Sequence, residues 1–170
     1  ISSFVVGATF LVVGCQTVSD RKVDPEKAVQ ARTQLAAEYI RTGDFDAAKR
    51  ELDQAMQVNP RNALVNMMMG VLLQREGSQL NMEKADRYFR AAISADPKNA
   101  QARNNYGTYL YQAGRYNEAL THLEIAGATL GYDQRFRALE NVGRIYLKIG
   151  DVANAEKSFK QALQANRDSY

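Results

Sequence analysis

A chain of 170 residues and 19.0 kDa holds one domain of ordinary size or a short repeat array, and excludes two large domains. With 45% hydrophobic and 24% charged residues it can bury a core, and its richness in Ala, Leu, Glu and Gln with only 3 Pro favours helix over strand. The 22 Lys and Arg against 19 Asp and Glu are scattered, which argues against nucleic acid as the partner, while one Cys and one His exclude both an internal disulfide and an ordinary structural zinc site.

The chain begins at Ile1 and ends at Tyr170 within a helical pattern, so the reading here is that it is a piece of a longer precursor. Phe4 to Val13 form an uncharged run of ten, too short for a bilayer span of ~20 residues but suited to the apolar region of a secretory signal. Residues 1–14 are therefore assigned to a signal-like segment. Val12-Val13-Gly14-Cys15 resembles the lipobox of bacterial lipoproteins, which implies lipidation of Cys15. In proteins with that motif, Asp after the Cys signals inner-membrane retention; Gln16 implies the outer membrane instead. Residues 15–25 then read as the anchor and a polar tether. Asp24-Pro25-Glu26 carries a capping side chain, a Pro suited to the first turn and a Glu at the positive end of the helix dipole, so helix begins there.

From this point to residue 170 one unit repeats. A small residue recurs at Ala36, Gly70, Gly107 and Gly143, and Gly43, Gly77, Gly114 and Gly150 follow seven residues behind. Ala48, Ala85, Ala119 and Ala155 form a second small column; Leu52, Phe89, Leu123 and Phe159 form a large one; Ala55, Ala92, Ala126 and Ala162 form a third small one. Each unit thus reads as two helices that approach at the small residues, separated by a Gly that ends the first in a left-handed cap. Asp44, Asn81 and Asp151 are the expected caps of the second helices. Unit two carries extra residues, expected in its inner turn around Gly77 to Asn81, and further extras fall near Gly131 to Gln134.

These columns resemble the tetratricopeptide repeat, which implies an all-α, right-handed solenoid of about four helical hairpins, units 29–62, 63–99, 100–135 and 136–170. The Trp frequent near the start of that repeat is replaced here by Arg32, Asn66, Arg103 and Leu139. The resemblance implies a concave wall built from the first helices, which binds segments of other proteins. Residues expected on it are Ala37, Ile40, Met67 and Val71, then Asn104, Thr108, Tyr111, Arg137, Asn141, Arg144 and Lys148, so the wall passes from apolar to polar and basic. Met67 and Val71 stand where the carboxylate-clamp subset of these repeats needs polar residues, so a clamp is not expected.

No catalytic constellation is legible. His122 is isolated on a second helix, the glycines never form a phosphate loop, and Met67-Met68-Met69 points three ways around a helix, some side chains inward and some to the groove. The expectation is no enzyme, no cofactor, no metal and no small-molecule substrate.

A lipobox, a short tether and such repeats, together with Asn104-Asn-Tyr-Gly-Thr-Tyr-Leu-Tyr111, Arg115-Tyr116-Asn-Glu-Ala119, Glu140-Asn-Val-Gly143 and the lengthened link before it, resemble the type IV pilus biogenesis and stability lipoproteins, the pilotins. That resemblance implies a lipid-anchored protein on the periplasmic face of the outer membrane. It would bind the pilus secretin and promote its localisation and multimerisation. The alternative is a periplasmic scaffold of the same fold serving cell-wall enzymes or outer-membrane protein assembly.

Overall fold

The computed structural model describes residues 24–167, and the signal-like segment, Cys15 and most of the tether lie outside them. Eight helices fill the described residues in four hairpins: α1 (Pro25–Thr42) with α2 (Phe45–Val58), α3 (Ala63–Glu76) with α4 (Gln79–Ala95), α5 (Ala100–Gln112) with α6 (Tyr116–Ala128), and α7 (Arg135–Lys148) with α8 (Val152–Arg167). None is long and apolar enough to cross a membrane.

Local chemistry sets the helix ends. Asp24 accepts from the Glu26 N–H at 3.0 Å and Pro25 opens α1. Each inner turn carries a glycine at positive φ, between 74° at Gly114 and 85° at Gly43 and Gly150, where a side chain would be strained. Asp44 and Asp151 cap α2 and α8 by accepting from Ala47 N at 3.0 Å and Asn154 N at 3.1 Å. At α4 the expectation is corrected: Ser78 is the cap, and its Oγ accepts from Asn81 N at 3.2 Å. Unit two's extra residues therefore do not widen the inner turn. They extend α4 at its start, to 17 residues against 14 in α2, because Ser78 satisfies the helix end earlier. The extras near Gly131 do fall in the link, residues 129–134 between α6 and α7.

Within hairpins the small columns let helices close. A Cβ added to Gly107 would lie 2.5 Å from Leu123 Cγ, and one added to Gly70 would lie 2.9 Å from the Phe89 ring. Phe89, Leu52, Leu110 and Leu123 are fully buried, each side chain contributing about 1.5–3 kcal/mol through removal from water. Between hairpins, α1 meets α3, α3 meets α5, and α5 meets α7, whereas α2, α4, α6 and α8 do not approach one another. First helices are thus nearer together than second helices, so the stack curves with its concave side on α1, α3, α5 and α7. At the last junction α7 leans chiefly on α6 and only lightly on α5, as the longer link allows.

Candidate functional site

The concave wall is where the sequence places a partner, and the first helices present its residues in order. In α1, Ala37 is half-buried but Ile40 is only 5% exposed. In α3, Val71 is half-buried and Met67 is 1% exposed. Ile40 and Met67 are core residues, which corrects their assignment to the groove surface. The expectation that Met67-Met68-Met69 would split between core and groove is corrected too, since all three are buried. The reason is the position of α3, which is flanked by α1, α2, α4 and α5 and is apolar around most of its circumference.

The second half of the wall is different. Asn104, Thr108 and Tyr111 on α5 and Asn141 on α7 are half-buried, while Arg137, Arg144 and Lys148 on α7 are exposed. The structure brings three of these together. Asn141 Nδ2 donates to Thr108 Oγ1 at 3.4 Å, and the Thr108 hydroxyl donates to the Asn104 backbone carbonyl at 2.9 Å. Asn104 Oδ1 is buried and has no hydrogen-bond partner among the described residues, a state that costs about 1–3 kcal/mol. Tyr111 packs against Tyr116, ring centroids 5.7 Å apart. The Arg137 guanidinium of this exposed side chain lies 5.7 Å from the Phe136 ring centroid. One groove contact escaped the sequence reading: Gln74 Nε2 of α3 donates to Gln112 Oε1 of α5 at 2.6 Å, across the concave side.

Behind the wall, an aromatic and ionic cluster joins the second and third hairpins. Phe89, Tyr106 and Tyr109 stack with centroids 5.5 to 6.0 Å apart. Asp86 accepts from the Tyr106 hydroxyl at 3.0 Å, Arg90 Nε at 2.7 Å and Arg115 at 2.6 Å. Burial pushes the Asp86 carboxyl upward, but these three donors outweigh it and hold it below the ordinary carboxylate range. Burial, aided by Asp86, raises the Tyr106 hydroxyl to about 12. Arg103 donates to the Pro97 carbonyl at 2.8 Å and to His122 Nδ1 at 3.1 Å. An arginine can only donate, so Nδ1 accepts and His122 is neutral. Burial, then the Arg103 charge, hold the imidazole below its ordinary value. His122 therefore belongs to a packing cluster, its ring 4.7 Å from that of Tyr106.

A curved wall with half-buried amide and hydroxyl side chains and exposed cations is chemistry for holding a polypeptide through polar and charge contacts. Known proteins agree on the fold. Sequence profiles of the tetratricopeptide repeat match residues 29–62, 66–99 and 99–168. The type IV pilus assembly protein PilF of Pseudomonas aeruginosa is 33% identical over 162 residues, which cover 92% of this chain and 63% of that protein. The solved structure of Pseudomonas aeruginosa PilF superposes with a TM-score of 0.79, covering 84% of this chain and 63% of that one. PilW, described as a widely conserved type IV pilus biogenesis factor, superposes at 0.75 with 30% identity over 82% of this chain and 62% of its own. MamA, at 20% identity and a TM-score of 0.69 over 82% of this chain and 79% of its own, shares the fold. The chain thus spans less than two thirds of the length of PilF and PilW.

Proposed function

Because the chain belongs to the tetratricopeptide repeat family and is homologous to PilF and PilW, we propose that it serves type IV pilus biogenesis as an outer-membrane lipoprotein adaptor. In this reading acyl chains on Cys15 hold it to the periplasmic face of the outer membrane. The concave wall binds a secretin subunit and raises its local concentration there, which favours ring assembly. The observation that carries the reading is the superposition on PilF over most of the chain, with all four hairpins in one continuous stack.

On the wall, the working contacts fall to the α5–α7 half: Asn104, Thr108, Asn141, Arg137, Arg144 and Lys148. A polypeptide lying along it can meet the half-buried polar side chains of Asn104, Thr108 and Asn141 and place carboxylates near the α7 cations. No bond is made or broken, and the role is one of placement. The test is Cys15→Ala in the full protein. The variant is expected to keep its helical content and its hold on the secretin while the secretin leaves the outer-membrane fraction. Normal secretin rings in the outer membrane of that variant would overturn the reading.

A further inference from the structure

On the outer side of the stack Arg115 and Asp86 span the joint between α4 and α6, whereas the joints between α2 and α4 and between α6 and α8 hold hollows, lined by Asn66 and Leu139 of the column Arg32, Asn66, Arg103 and Leu139. Arg32 crosses to Glu51 of its own hairpin at 2.8 Å, and Arg103 crosses to His122 at 3.1 Å. Asn66 is too short to cross. It is 97% buried, being 3% exposed, and its Nδ2 donates to the Pro60 and Asn62 carbonyls, both at 2.9 Å. Over it a groove opens between α2 and α4, with two connected hollows of about 490 and 530 Å³ that share Asn66 and Ala91.

The groove has an apolar floor and walls of one sign. Met69 and Leu73, 1% and 5% exposed, close the bottom as core residues, half-buried Tyr88 gives the rim its apolar surface, and Lys49, Lys84, Arg87 and Arg61 stand around it with no Asp or Glu in the lining. Lys49 is held by Asp53 at 2.5 Å, but Lys84, Arg87 and Arg61 have no ion pair among the described residues. The other open joint, between α6 and α8, is lined by Glu124 together with Arg135 and Lys157 and so selects no sign of charge. A like-charged rim around apolar atoms is complementary to a segment with carboxylates beside apolar side chains.

We propose that the α2–α4 groove is a docking site for an acidic amphipathic helix of a partner polypeptide. Its apolar residues rest on half-buried Tyr88 at the rim, and its carboxylates face Lys84, Arg87 and Arg61. The site lies on the second helices, away from the concave wall, and does not depend on the concave reading.

The test uses the full chain and a fluorescent helical peptide with Leu on one face and Glu on the other. Its controls are a Lys-for-Glu counterpart and phosphatidylglycerol vesicles. The Glu peptide is expected to bind with an affinity that falls as salt rises. Lys84→Glu with Arg87→Glu, and separately the exposed plug Ala91→Trp, should each weaken it roughly tenfold or more with unchanged helical content. Lys160→Glu with Arg167→Glu on α8, exposed and outside both surfaces, should leave it unchanged. Equal binding by the groove variants, equal binding of the Lys peptide, or binding to the vesicles but not to the Glu peptide would each overturn the proposal.

Discussion

Arg115, at the entry to α6, reaches back to Asp86 on α4, with Nη1 2.6 Å from Oδ1. This ion pair ties together two second helices that do not otherwise approach each other. The joint between α4 and α6 is closed by it, where that between α2 and α4 is open.

Asp86→Ala removes the acceptor of three donors and should lower stability by about 2 kcal/mol, below the 3–5 kcal/mol for a fully buried pair because the Asp86 side chain is 20% exposed. Arg90→Ala, whose side chain is 58% exposed, should cost about 0.5 kcal/mol. Urea midpoints at constant slope measure both. Since the folded carboxyl titrates lower than the unfolded one, the Asp86 contribution is complete above the unfolded value of about 4 and is lost as pH falls through the folded value. The Asp86→Ala deficit should therefore shrink in acid; a deficit that is constant with pH would refute the assignment.

His122 obeys the same sign in a higher window. Its imidazole is held below the ordinary value by burial and by Arg103, so below about pH 6.5 the unfolded chain takes up a proton that the folded chain does not. Stability present above that value is lost as pH falls toward the folded value. Ring C–H resonances followed by NMR should titrate lower than those of a free histidine. In His122→Gln the slope of stability against pH in this window should flatten.

Gly107→Ala puts helix propensity against packing. Alanine in a helix interior gains about 1 kcal/mol over glycine, but the new Cβ would sit 2.5 Å from Leu123 Cγ and 3.3 Å from the Ala119 carbonyl. Cγ cannot swing aside as a flexible tip would, so the net effect should be a loss of about 1–3 kcal/mol, read as a lower thermal midpoint. Combining it with Leu123→Ala should cost less than the sum of the two single changes, since the smaller residue makes room.

Thr108 and Asn141 test the concave wall. Asn141→Ala breaks a 3.4 Å contact at a half-buried position and should change stability by less than about 1 kcal/mol. If a polypeptide lies along the wall, Asn141→Ala and Arg144→Glu should each slow or weaken its capture in a pull-down from membrane extract. The doubly charge-reversed Lys84 and Arg87 variant should retain that capture.

The hairpins were readable from residues alone because every feature that makes one is local. A cap acts over three residues, a left-handed glycine over its own backbone, and a small residue on one helix meets a large one 16 to 19 positions later, as Gly107 meets Leu123 and Gly70 meets Phe89. Exposure depends instead on the neighbouring hairpins. Met67 and Ile40 occupy the same faces of their helices as groove residues elsewhere, and only the flanking helices bury them. Likewise Asn66 reads as one more substitution in a column, and its shortness becomes a groove only once α2 and α4 stand on either side of it. Short-range geometry was written in the spacing of the residues. The surface was decided by the stacking of units more than thirty residues apart, whose contacts no single unit encodes.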